Sequence, residues 1–193
     1  MSSARATLHM LCGKIAAGKS TLAKTLAAEA NTVLISEDHW LARLYPGEIN
    51  TVEDYIRSAA RLREAISSHI TQLLGVGVSV VLDFPANTPR LRQWMRSLFE
   101  AVEADHQLYF LDVPDAVCKA RLRARNTLGN HEFAASDADF EAITSYFVPP
   151  QESEGFNVVR YAGTREVREG YQASDCDHYW TDADKTYPDE RSR

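Results

Sequence analysis

The chain has 193 residues, enough for one domain with a small inserted lid. Hydrophobic residues make up 45% and charged residues 25%, so there is apolar material for a full core. A net charge of −6 gives no broadly basic face and argues against a duplex-DNA binder, although local basic clusters leave a nucleic-acid end open.

Residues 7–12 (Thr-Leu-His-Met-Leu-Cys) are a short apolar run that ends at Gly13. Residues 20–30 follow with Leu22, Leu26 and alanines at helical spacing, so the opening reads as strand, glycine turn, helix. Val33–Ile35 is a second buried-type strand. Residues 53–74 carry Ile56, Ala59, Ile66, Ile70, Leu73 and Leu74 on one helical face and stop at Gly75. Val78–Leu82 is a third strand running into Asp83, and Leu91, Trp94, Met95, Leu98 and Val102 mark another amphipathic helix. Leu108–Leu111 is a fourth strand, and Pro114 suits the start of a helix reaching about Arg125. Ser136 caps a helix with Phe140, Ile143 and Phe147 on its apolar face, stopped by Pro149-Pro150, and Asn157–Tyr161 is a fifth strand. Apolar strands alternating with helices predict an α/β domain with a parallel sheet covered on both faces. From residue 163 the pattern fades into a polar C-terminal extension, 163–193, beyond a nucleotide-binding domain at 1–162.

Cys12, Cys118 and Cys176 form no metal-ligand or CxxC spacing and read as reduced thiols in a cytoplasmic protein. Residues 1–7 lack the apolar run of a signal peptide, and no segment approaches the ~18 apolar residues of a membrane span.

Residues 13–20, Gly-Lys-Ile-Ala-Ala-Gly-Lys-Ser, fit G-x-x-x-x-G-K-[ST], and Thr21 follows. Gly13 and Gly18 let the backbone curl so that N–H groups of Lys14, Ile15, Ala16 and Ala17 cradle phosphate oxygens. Lys19 sets a positive charge near the β- and γ-phosphates, the Ser20 hydroxyl is a Mg²⁺ ligand, and the new helix adds its positive end. Lys14 reads as a solvated loop residue rather than a second catalytic lysine.

Asp38 follows the second strand and Asp83 closes the third, at the carboxyl ends where an open parallel sheet binds its ligands. One such carboxylate can organise Mg²⁺, and the other can orient an acceptor hydroxyl and take its proton. The plainer reading of each is a cap or turn acid. Glu37 is a weaker candidate than Asp38. Arg121 and Arg125 share a helix face before the irregular stretch 126–135, an arrangement suited to a closing lid (about 122–136) that neutralises charge on a transferring phosphoryl group. Trp40, Arg43, Tyr45, Tyr55, Arg57, Arg61, Arg63, Asn87 and Arg90 are the pool from which an acceptor site would be drawn, most of them being ordinary core or surface residues.

These residues carry a resemblance. The chain resembles the small bacterial P-loop kinases of the AAA-domain-33 type, which are similar to zeta toxins, chloramphenicol phosphotransferase and polynucleotide 5′-kinases. The likeness spans residues 7–161. It rests on Cys-Gly-Lys-Ile-Ala-Ala-Gly-Lys-Ser-Thr (12–21), Ser-Glu-Asp (36–38), Val-Leu-Asp (81–83) and Leu-Asp-Val-Pro (111–114). Arg-Leu-Arg-Ala-Arg-Asn (121–126) and Pro-Pro-Gln-Glu-Ser-Glu-Gly-Phe (149–156) continue it. The resemblance implies a P-loop NTPase kinase-like three-layer sandwich with a five-stranded parallel sheet in the order 2-3-1-4-5 and a small helical lid. It also implies Asp38 as the acceptor-activating carboxylate, Arg121 and Arg125 as lid residues, and ATP as the nucleotide.

The expected activity is transfer of the γ-phosphoryl of ATP·Mg²⁺ to a hydroxyl of a small-molecule acceptor, with Lys19, Asp38, Arg121 and Arg125 catalytic and Ser20 and Asp83 at the metal. The alternatives are a nucleotide-dependent ATPase or switch read by a partner protein, and a kinase of nucleic-acid 5′ ends.

Overall fold

The computed structural model describes residues 5–128, 135–162 and 165–167. β1 (Thr7–Gly13) leads through the glycine loop into α1 (Lys19–Leu26), and β2 (Thr32–Ser36) runs straight into α2 (Glu37–Leu44). α3 (Val52–Gly75) returns the chain to β3 (Ser79–Pro85), followed by α4 (Pro89–Glu100), β4 (Asp105–Asp112), α5 (Asp115–Leu128) and α6 (Asp137–Thr144). A 3-10 turn at Glu152–Glu154 precedes β5 (Val158–Ala162) and β6 (Arg165–Val167).

Among the described residues the strands form one sheet in the order β2-β3-β1-β4-β5-β6. β1 to β5 are parallel and follow the expected order. β6 is an addition: it pairs antiparallel with β5, from Ala162↔Arg165 to Arg160↔Val167, so the segment expected to open the polar extension joins the sheet edge. A three-residue strand is too short to show a period, which is why the sequence pattern misses it.

Period-two alternation splits the buried residues between two faces. Leu8, Met10 and Cys12 of β1, Val80, Leu82 and Phe84 of β3, and Leu108 and Phe110 of β4 pack with Leu62, Ile66 and Ile70 of α3 and Met95, Leu98 and Phe99 of α4. Leu11, Val81 and Leu111 point to the other face, against Leu22 and Ala23 of α1, Cys118 and Leu122 of α5, and Phe140 of α6. Cys12 on the first face and Cys118 on the second are buried and form no disulfide, and burial pushes the Cys12 thiol up to about 12.

The helix starts follow local chemistry. Thr51 and Ser136 form capping boxes with Asp54 and Asp139, and Thr88 accepts from the Leu91 N–H with Pro89 at the first helical position. α1 and α2 have no side-chain cap: the N-cap of α1 is Gly18, and the Ser36 side chain makes no capping bond to α2. Among the described residues no helix is long and apolar enough to cross a membrane.

Candidate active site

The glycine loop leaves the carboxyl end of β1 between β3 and β4. Gly13 is pinned there: a Cβ would lie 3.1 Å from both Cβ and the carbonyl oxygen of Leu111. Ala16 and Gly18 both have left-handed backbones, with φ of 58° and 107°. The alanine carries strain of about 1–2 kcal/mol that a glycine would not, a cost typical of loops shaped for a ligand. The Ala17 N–H donates to the Lys14 carbonyl at 3.2 Å and closes the turn. The Lys19 Nζ donates to the Gly13 and Lys14 carbonyls, both at 2.8 Å, lying back across the loop it serves. Ser20 and Thr21 are exposed on the first turn of α1.

The two carboxylates come from β3 and from the first turn of α2. Ser36 and Asp83 are register partners in β2 and β3, so Asp83 lies beside the junction where β2 becomes α2. Asp38 sits within the first turn of α2, not at its cap, and β3 continues two residues past Asp83 to Pro85. Burial holds the Lys19 ammonium below its ordinary value, opposed first by Asp83 and also by Asp38. Lys19 and both carboxylates therefore share one electrostatic neighbourhood.

The arginines of α5 close the other side. Arg121 Nη1 donates to the Ala17 carbonyl at 3.3 Å. Arg125 is half-buried and its Nε has no partner. Burial lowers its pKa, and the charge of Asp38, which also acts on Lys19, raises it. Arg123 instead pairs with Asp137 on the surface. The middle of the expected lid, residues 129–134, lies outside the described residues, as does the extension from 168 onward.

Several polar residues have partners elsewhere in the chain. Lys14 is not simply solvated: it pairs with Asp115 at the start of α5 and lies 5.9 Å from the Phe147 ring centroid. Asp112 pairs with Arg160 of β5. Among the acceptor-side candidates, Arg57 pairs with Asp54 and Arg43 donates to His39. Asn87 accepts the Gly13 N–H on its Oδ1 at 2.9 Å, so it serves the phosphate loop.

Glu37, the lesser candidate, is 1% exposed. Its Oε1 accepts from the Tyr55 hydroxyl at 3.1 Å, Arg63 stands 3.7 Å away, and its Oε2 has no partner. Burial pushes its carboxyl up to about 7 against the pull of Arg63 and Tyr55. It fastens the first turn of α2, and hence Asp38, to α3.

The segment 149–156 also acquires a physical role. Arg92, fully buried, donates from Nε and Nη2 to the two carboxylate oxygens of Glu154 at 2.7 and 2.8 Å. Its Nη1 donates to the Ala86 and Val148 carbonyls, both at 2.9 Å. The Gln-Glu-Ser-Glu stretch is thus one half of a buried ion pair. One signal was legible: Arg92 stands three residues before Met95, on the buried face of an amphipathic helix.

The residues present suit a nucleoside triphosphate with Mg²⁺. The uncapped start of α1 presents N–H groups that a side chain would otherwise occupy. No group of three or more metal-binding side chains exists among the described residues. Mg²⁺ needs none, since it keeps several waters and takes one or two protein ligands beside phosphate oxygens.

The AAA_33 family model, described as an AAA domain, matches residues 8–150. The chain belongs to this family. No curated protein matches it. Among solved structures, a kinase candidate from Chloroflexus aurantiacus is similar to this AAA_33 protein over 82% of the present chain and 86% of its own, at 20% identity and a TM-score of 0.67. Kti12 of Chaetomium thermophilum, solved with ADP-AlF3, is similar over 80% and 88%, at 14% identity and 0.61. The APS kinase CysC of Mycobacterium tuberculosis, solved with AMPPNP and APS, is similar over 84% and 91%, at 19% identity and 0.55. These likenesses are of fold, and the fold is that of P-loop kinases.

Proposed function

We propose that this AAA_33 protein is an ATP-dependent phosphotransferase acting on a hydroxyl of a small-molecule acceptor. The observation that carries this reading is the shared neighbourhood of Lys19, Asp38, Asp83 and Arg125 at the mouth of the phosphate loop. A nucleotide switch needs the loop and the metal site, but it has no need of a carboxylate whose charge acts on both the loop lysine and a lid arginine.

In this reading the loop N–H groups and the start of α1 bind the phosphates, and Lys19 exchanges its carbonyl partners for β- and γ-phosphate oxygens. Ser20 and Asp83 would hold Mg²⁺, which would supply charge neutralisation to the phosphates. Asp38 orients the acceptor hydroxyl and takes its proton as the oxygen bonds to the γ-phosphorus, while the bond from that phosphorus to the β–γ bridging oxygen breaks and ADP leaves. Arg125, through its unpartnered Nε, and Arg121 offset the charge on the phosphoryl oxygens. The partial burial of Lys19, Asp38, Asp83, Arg121 and Arg125 matters, because each charge acts more strongly where water is partly excluded.

The test is ATP affinity and turnover with a panel of hydroxylic metabolites, for wild type, Lys19→Ala and Asp38→Asn. Lys19→Ala removes triphosphate binding. Asp38→Asn keeps ATP affinity and lowers transfer by roughly 10²–10⁴, the usual worth of a positioned base. Unchanged transfer in Asp38→Asn would refute the phosphotransferase assignment as drawn.

A further inference from the structure

We infer that Asn87 is a positioning residue for the phosphate loop: its side chain supplies the hydrogen bond that β3 stops giving to β1, and it thereby fixes the residue on which Lys19 rests. The inference rests on the nucleotide-binding reading above and concerns a residue outside the loop motif.

The need arises in the strand register. β1 and β3 pair in step from Leu8↔Val80 to Met10↔Leu82, and the register then slips to Leu11↔Pro85. Pro85 has no N–H to give, and the ladder's last bond on this side runs from the Ala86 N–H to the Leu11 carbonyl at 2.9 Å. Gly13 is two residues further and points its N–H to the same side. Asn87 Oδ1 accepts that N–H at 2.9 Å. The carbonyl of the same glycine accepts the Lys19 Nζ at 2.8 Å. A chain of two hydrogen bonds therefore joins Asn87 to the loop lysine, while Leu111 crowds Gly13 from the β4 side at 3.1 Å.

Asn87 is itself held rigidly. Its carbonyl accepts the Val148 N–H at 2.9 Å, and the Arg92 Nη1 bridges the Ala86 and Val148 carbonyls on either side of it. The next residue, Thr88, caps α4. A side chain so placed can set a backbone position to a few tenths of an ångström, which is the tolerance of a site built on preorganised donors.

The experiment measures ATP·Mg²⁺ affinity without any acceptor, together with amide hydrogen exchange at Gly13, for wild type, Asn87→Ala and Asn87→Asp. Ser67→Ala, which breaks the Trp94–Ser67 hydrogen bond away from the loop, is the control for general loss of stability. Asn87→Ala is expected to lose Gly13 amide protection and to bind ATP about tenfold more weakly, the size of one lost hydrogen bond. Asn87→Asp keeps the acceptor oxygen and is expected to restore the protection. Ser67→Ala is expected to bind ATP as wild type does. Should Asn87→Ala fail to fold, Asn87→Ser, whose shorter side chain withdraws the acceptor, carries the same expectation. Wild-type ATP affinity in Asn87→Ala and Asn87→Ser, or an equal loss in Ser67→Ala, overturns the inference while leaving the phosphotransferase reading intact. A wild-type protein that does not bind ATP overturns that reading instead.

Discussion

Breaking the Arg92–Glu154 pair tests whether the segment after α6 is structural. Arg92 is fully buried and donates four hydrogen bonds, two to Glu154 and one each to the Ala86 and Val148 carbonyls. Glu154→Gln leaves the two carbonyl bonds but strands the guanidinium without a counter-charge. Removing one partner of a buried pair costs about 3–5 kcal/mol. Glu154 keeps 20% of its side chain exposed, so water can partly answer the loss and the lower end, about 3 kcal/mol, is expected. For a domain of this size each kcal/mol lowers Tm by roughly 2–4 °C, so the expected drop is about 6–12 °C. The pH dependence has a definite sign. The hydrogen bonds from Arg92 hold the Glu154 carboxyl below its ordinary range. Its stabilisation is therefore fully present above the unfolded value of about 4.3 and is lost as pH falls through the folded value. Urea titrations of wild type and Glu154→Gln between pH 8 and 3 should show a constant gap that closes below about pH 4. A gap under 1 kcal/mol at pH 7, or one that widens in acid, refutes the reasoning.

Arg121→Ala and Arg125→Ala should lower maximal turnover more than ATP affinity, because their charges count most as the phosphoryl group moves; a pure affinity defect in steady-state kinetics would put them on the ground-state nucleotide. Ser20→Ala should weaken ATP binding in Mg²⁺ more than in EDTA, and equal losses by titration calorimetry would remove Ser20 from the metal. Asp83→Asn should lose turnover that partly returns at high Mg²⁺, whereas Asp38→Asn should not recover at any Mg²⁺ level; the reverse pattern exchanges their roles.

The sequence alone determined the loop, the order of elements and the parallel sheet. These follow from local rules: glycine where the chain must curl, apolar runs where strands are buried twice, and period-3.6 stripes where helices cover them. It also placed Asp38 just past β2, Asp83 late in β3 and Arg121 and Arg125 on one helix, since strand ends and helix faces are one-dimensional information. Tertiary structure decided which of many polar residues have partners across the chain. Asn87 is 74 residues from Gly13, and Arg92 is 62 from Glu154, so no periodicity could link them. Glu37 and Asp38 are neighbours in sequence with opposite environments, one buried against Tyr55 and Arg63, the other acting on Lys19 and Arg125. Helix geometry turns adjacent side chains about 100° apart, so which one meets the core is settled only when α2 packs on α3. The short edge strand β6 likewise exists because β5 offers it a ladder, and three residues of sequence hold no trace of that.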